Sequence, residues 1–214
     1  MYLVKTYRKK SGISGKGFFA GEFIPKGTIV FLYGITEKFY SREEIQSLPD
    51  SEKEQMLEKL FCYGVEDEYG NWQVTDTNPD LGDINHSCDA NILSMFIDGI
   101  YCDIAVKDIQ KDEEITIDYR LFYSSFPWKL ECKCCSEKCC GVFGSSIEVD
   151  SKTREMWCSL IADAVKHIFD VKQPLFSKDN EEARALARAL MRKKNPKVYP
   201  YTKFSLISEG EFCI

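Results

Sequence analysis

Cys132, Cys134 and Cys139 form a C-x-C-x4-C run, and Cys140 and Gly141 follow it directly. Cys88 stands well upstream, at the end of Asn85-His86-Ser87-Cys88. Thiolates so closely spaced suit a zinc ion, and three of them need a fourth ligand to complete a tetrahedron. If Cys88 is that ligand, the metal pins the later part of the chain against the Asn-His segment. Between the two lies Glu114-Ile115-Thr116-Ile117-Asp118-Tyr119. A tyrosine after an alternating strand is ordinarily core; beside an imidazole and a thiolate centre it becomes a candidate for chemistry. The chain has two histidines, and only His86 keeps such company; His167 falls on a predicted helix.

Short strands and turns must position these groups. Gly12, Gly15, Gly17, Gly21, Pro25 and Gly27 punctuate residues 2–35, and Thr28-Ile-Val-Phe-Leu-Tyr reads as a strand. Ser41–Leu48 and Ser51–Leu60 read as helices, each opened by a capping box, Ser41 with Glu44 and Ser51 with Glu54. Strands are expected over residues 72–76 and 115–119, and a hairpin over 92–106 turning at Asp98-Gly99. Beyond residue 150, Met156, Leu160, Ala164 and Ile168, with Trp157, Ile161, Val165 and Phe169, recur at helical spacing. A second helix is expected over Asn180–Lys194, ended by Asn195-Pro196. The pattern is α+β and β-rich. Gly15-Lys-Gly-Phe-Phe-Ala matches G-x-G-x-x-A, but a dinucleotide site requires a helix there, and a β-like run follows instead.

Composition narrows the function. The N terminus turns basic and polar at once, without the pattern of a secretion signal, and no apolar run is long enough to span a bilayer. Five of ten cysteines crowd into residues 132–140, so metal ligation in a reducing, intracellular compartment fits better than disulfides. Cys62, Cys102, Cys158 and Cys213 read as small buried hydrophobes. Residues 151–214 carry 12 Lys and Arg against 8 Asp and Glu, whereas residues 1–150 carry 16 against 26. The acidic body argues against direct nucleic-acid binding and suits a basic, lysine-rich partner.

In order and spacing, Gly15-Lys-Gly-Phe-Phe-Ala, Ile24-Pro-Lys-Gly, Asn85-His-Ser-Cys, Glu113-Glu-Ile-Thr-Ile-Asp-Tyr and the C-x-C-x4-C run resemble the SET-domain protein lysine methyltransferases with a post-SET zinc module. The resemblance covers roughly residues 2–143. It implies a SET fold of short strands in small sheets with a knot-like crossing. Residues 1–127 would form the SET domain, with a helical insert at about 37–61. Residues 128–143 would form the zinc module and 144–214 a C-terminal helical appendage. Residues 1–14 contain no cysteine.

The same resemblance implies roles. Lys16, Gly17 and Phe18 would offer backbone to S-adenosylmethionine, Asn85 and His86 would contact it, and Leu130 would cover its adenine. Tyr119 would be the active-site tyrosine, touching both cofactor and substrate, and Tyr63 would line the lysine channel. Cys88, Cys132, Cys134 and Cys139 would hold one structural zinc. The substrate would be a basic protein such as a histone. The location would be nuclear or chromatin-associated in a eukaryote, cytoplasmic or host-directed in a bacterium or virus. Three features depart from the family pattern: Gly82-Asp83 replaces the usual Arg-aromatic pair, Ile117 replaces Phe or Tyr, and Cys135 and Cys140 are surplus thiols. Ile117 lacks the hydroxyl that would hold a water and crowd a methylated amine, which favours di- or trimethylation. Two other readings are a catalytically silent SET-like module that grips a peptide or partner and a zinc-ribbon interaction protein with coincidental motifs.

Overall fold

The computed structural model describes residues 2–32, 39–40, 42–52, 64–66, 72–74, 84–97, 100–121, 129–144, 147–174, 184, 188 and 198–200. Tyr63, Cys62, Cys213, Ser41, Glu54 and Gly82-Asp83 fall outside them.

The chain opens with an antiparallel ribbon of β1 (Thr6–Lys10) and β2 (Lys16–Ala20), in which Arg8 faces Phe18 and Lys9 faces Gly17. That a strand follows Gly15 removes the dinucleotide reading. The main sheet contains β3 (Ile29–Leu32), β7 (Asn85–His86), β8 (Ile92–Ile97), β9 (Ile100–Ala105) and β10 (Thr116–Ile117), in the order β3-β9-β8-β10-β7. A smaller sheet pairs β4 (Phe39–Tyr40), β6 (Trp72–Val74) and β5 (Gly64–Glu66). A short helix, α1 (Arg42–Gln46), follows β4. The hairpin β8–β9 matches the expected one, since pairing of Ile97 with Ile100 leaves a two-residue connection.

Both faces of the main sheet are covered. Along β3, Ile29 and Leu32 enter one apolar cluster, and Val30 and Phe31 the other. The first also takes Leu93, Met95, Cys102 and Ile104; the second takes Phe18, Ile84, Ile92, Ile115 and Ile117. A polar pair lies within this interior: Ser94 donates to Asp103 at 2.6 Å, directly across β8 and β9.

The C-terminal region is built into this core. Helix α2 (Ser151–Lys166) starts at Asp150, whose carboxylate accepts from the Thr153 amide at 3.0 Å. It buries Trp157, Ile161 and Ala164, and Ile168 follows, all in the first cluster. The expected stripe is real up to His167, which caps the helix; Phe169 lies beyond and is 55% exposed. The strand β13 (Val198–Pro200), not anticipated, pairs antiparallel with β8. Of the second expected helix, the described Arg184 and Arg188 are helical.

The turn before β3 meets the end of α2. Gly27 has φ +91, and a Cβ there would lie 2.8 Å from His167 Cβ. Beside it, the buried Gln173 side chain accepts from the Ile29 amide at 3.0 Å and donates to the Gly27 carbonyl at 2.8 Å. Gly27→Ala combines a left-handed backbone with a clash, so the expected loss is about 1–3 kcal/mol or more, read by urea denaturation. Unchanged stability would mean that this turn does not hold the helix as described.

Candidate active site and metal centre

Parallel pairing brings the two motifs together. Strand β10 lies between β7 and β8, with Thr116 beside Asn85 and Ile117 beside both His86 and Ile92. The Ser87 amide donates to the Ile117 carbonyl at 3.0 Å and extends the ladder past His86. These are the segments expected to form the family's crossing. Asn91 pins them from the side: its Oδ1 accepts from the Thr116 amide at 2.9 Å, and its Nδ2 donates to the Glu114 carbonyl at 2.8 Å.

Asn85 ties the glycine turn to this ribbon. Its Nδ2 donates to the carbonyls of Ser14 at 3.1 Å and Lys16 at 3.0 Å, and to Glu114 Oε1 at 2.7 Å. Ser11 holds the other Glu114 oxygen at 2.9 Å. A Cβ on Gly17 would overlap Glu114 Oε1 and come within 3.1 Å of Asn85 Nδ2. Glycine at position 17 lets this pair approach; a side chain there would displace the Glu114 carboxylate. Lys16 is exposed, whereas Phe18 turns its ring into the core against Tyr2, with centroids 4.6 Å apart. Of these two neighbours of Gly17, Phe18 therefore has only backbone to offer a ligand.

His86 is the joint of the site. It is buried, and its Nδ1 accepts from the Tyr119 amide at 3.0 Å. A neutral ring that accepts at Nδ1 carries its hydrogen on Nε2, which faces Cys88 Sγ at 3.4 Å. Burial lowers the His86 pKa to about 4, against the opposing pull of Asp118. Its 3.6 Å approach to Asp118 is thus not an ion pair. Asp118 is 1% exposed and instead binds Arg120 through both oxygens, at 2.9 and 2.6 Å. Burial opposes the Arg120 charge, but this carboxylate outweighs it and keeps the guanidinium protonated. The Tyr119 hydroxyl donates to the Ile84 carbonyl.

The ring of Phe143 completes an aromatic corner, 4.1 Å from His86 and 6.3 Å from Tyr119 between centroids. It comes from β12 (Val142–Gly144), which pairs with β11 (Lys129–Glu131) around the cysteine run. Leu130 stands opposite Phe143 in that ladder and is 39% exposed. Ile117 is buried in the apolar cluster that Tyr119 packs against. Sequence reasoning did not assign Glu114, Asn91, Asp118, Arg120 or Phe143. Glu114 and Asp118 lie inside the quoted motifs, so their charge in an otherwise apolar strand was the available signal.

The sulfurs of Cys88, Cys132, Cys134 and Cys139 all lie within 4.8 Å of one another. Cys88 and Cys132 are 3.7 Å apart, close to the ~3.8 Å edge of a tetrahedral thiolate site with Zn–S near 2.3 Å. His86, Cys88, Cys132 and Cys140 form an overlapping group of the same compactness. The tautomer argues against that second group, because the Nε2 hydrogen occupies the position a metal would take. The Cys140 sulfur also lies 3.4 Å from Cys88 Sγ, and its amide donates to the same sulfur at 3.4 Å, as the Gly141 amide does to Cys139. Burial pushes the Cys88 thiol up, and it pushes Cys132 up to about 12. At Cys134, burial is outweighed by amides of Cys88 and Ser136, leaving it at about 7. A cation would release the remaining protons. Accordingly, Cys140→Ser should retain one equivalent of zinc by metal analysis, and Cys139→Ser should lose most of it. The reverse order would assign the metal to the second group.

Residues 15–120 match the model of the SET domain family. A Plasmodium falciparum (isolate 3D7) protein described as "Putative histone-lysine N-methyltransferase 1" is 31% identical over 149 residues, which make up 64% of this chain and 2% of that protein. The chain thus spans a small part of its relative's length. With the motif order, the β7–β10 pairing and the family match in agreement, residues 15–120 are a SET domain.

Proposed function

We propose that the chain is an S-adenosylmethionine-dependent protein-lysine N-methyltransferase. The convergence of the Gly15–Gly17 turn, Asn85, His86 and Tyr119 on one β-ribbon carries this reading. The surroundings fit a cationic cofactor: the neighbouring imidazole is neutral, and aromatic rings line the corner. Lys16, Gly17 and Phe18 would hold it through backbone, with Asn85 and His86 beside them and Leu130 over its adenine. When bound, S-adenosylmethionine supplies a methyl group activated by a sulfonium.

The chain's own task is to present a neutral amine. A free lysine, with pKa near 10.4, is neutral in only about four molecules in ten thousand at pH 7. An apolar channel disfavours the ammonium, and the neighbouring sulfonium charge does so further. Tyr119 spends its hydrogen on the Ile84 carbonyl, so toward a substrate amine its oxygen would act as an acceptor. That suits orienting an amine N–H rather than removing a proton, which water can carry away. Positioning then supplies much of the rate. Tyr63 would line the channel, and Ile117 leaves apolar room for a methylated amine, favouring di- or trimethylation.

Cys88, Cys132, Cys134 and Cys139 would bind one structural zinc, since four thiolates leave no position for water. The acidic body favours a basic substrate, of which a histone tail is one example, and the thiol centre calls for a reducing compartment. With labelled S-adenosylmethionine and mixed core histones, the wild type should transfer methyl groups. Tyr119→Phe should fall by about tenfold or more. Cofactor binding without transfer to any basic protein would favour the silent module. Mass spectra should show di- or trimethyl product, shifting toward monomethyl in Ile117→Tyr; only monomethyl product from both would refute the role of Ile117.

A further inference from the structure

Helix α2 lies outside the family-matched residues, yet the active-site turn leans on it. Trp157 is 1% exposed, and its indole N–H donates to Asp118 Oδ2 at 3.0 Å. The rest of the Asp118 carboxylate is taken by Arg120, through the bidentate guanidinium and through its amide on Oδ1 at 3.1 Å. The Asp118 carbonyl accepts from the Leu121 amide at 3.1 Å, which closes the turn Tyr119–Leu121. Tyr119 is held at its hydroxyl by the Ile84 carbonyl, at its amide by His86, and at its backbone by Asp118 through the turn that it begins. Trp157 is the outermost support of that turn and comes from a different element.

The helix is a fixed platform. Lys26 pairs with Asp163 at 2.8 Å, Gln173 stitches the following segment to Gly27 and Ile29, and Gly27 abuts His167. An N–H delivered from such a platform defines where a buried carboxylate sits, and a buried acceptor that loses a donor is left undersatisfied.

We infer that Trp157 is a positioning residue: through Asp118 it sets where the Tyr119 ring stands, and so makes the C-terminal helix part of the catalytic unit. The inference rests on the methyl-transfer reading for its kinetic consequence alone. Trp157→Phe keeps an aromatic ring and deletes the N–H. Asp118 is then held by Arg120 alone and the turn can rock. Displacements of about 1 Å in an active site reduce rates by up to ~100-fold, so a loss on the order of tenfold is expected here. Ile161→Val, on the same buried face, removes one methyl from a side chain unable to hydrogen-bond Asp118.

The test uses the full chain labelled with [13Cζ]tyrosine, the Tyr119 resonance being assigned by its loss in Tyr119→Phe. In Trp157→Phe that resonance should move and kcat should drop on the order of tenfold with the S-adenosylmethionine Kd unchanged. In Ile161→Val both should stay at their wild-type values. An unmoved resonance with wild-type kcat in Trp157→Phe overturns the inference. So does an equal change in Ile161→Val, which would mean general loosening. If Trp157→Phe does not fold, benzothienylalanine placed at position 157 keeps the ring volume without the N–H, and the same criteria apply. If the wild type itself transfers no methyl group to any basic protein, the reaction reading fails, and the resonance alone decides the positioning.

Discussion

A single imidazole joins the two halves of this site. His86 takes the Tyr119 amide on Nδ1 and turns Nε2–H to Cys88. One hydrogen fixes both contacts, because a neutral ring that accepts on one side must donate on the other. The cysteine cluster and Tyr119 are thereby connected in series through Cys88 and His86, each group buried or half-buried. An outer partner that fixes tautomer and ring orientation is a recurrent feature around metal centres. Here it argues against His86 as a ligand and favours the group made of four sulfurs.

The rest of the fold serves that joint. Asn85 pulls the glycine turn onto the ribbon, and Asn91 fixes the register of the strand that carries Tyr119. Phe143 arrives from beyond the cysteine run and closes the corner. The cysteine segment, with few apolar residues of its own, gains its place from the sulfurs and from this one buried ring. The helix that follows is tied back to the same turn through Trp157. Segments far apart in sequence thus share one small volume, and a change in any one is transmitted through hydrogen bonds between buried groups, where loss of a partner is costly.

Much of this was legible in the residues. That Cys88 would lie beside the cysteine run could be expected because three clustered thiolates call for a fourth, and the β8–β9 hairpin because Asp98-Gly99 marks a tight turn between apolar runs. The helical stripe of α2 was readable, although its end was not: His167 caps it, and Phe169 continues the spacing outside it. The contributions of Glu114, Asp118 and Trp157 were hidden for a different reason. Their roles are pairings across long sequence distances, as in Trp157 with Asp118, and periodicity carries no information about partners of that kind. The pairing of β13 with β8 was hidden likewise, because three residues of strand leave too short a pattern.

The central claim is that the thiolate centre and the cofactor site form one unit. The direct measurement is calorimetric titration of the full chain with S-adenosylmethionine, first with zinc bound, then after removal of the metal by a chelator, then after zinc is restored. The account predicts binding that is lost with the metal and regained with it. Equal affinity in all three states would mean that the cysteine centre and the site around His86 and Tyr119 are independent.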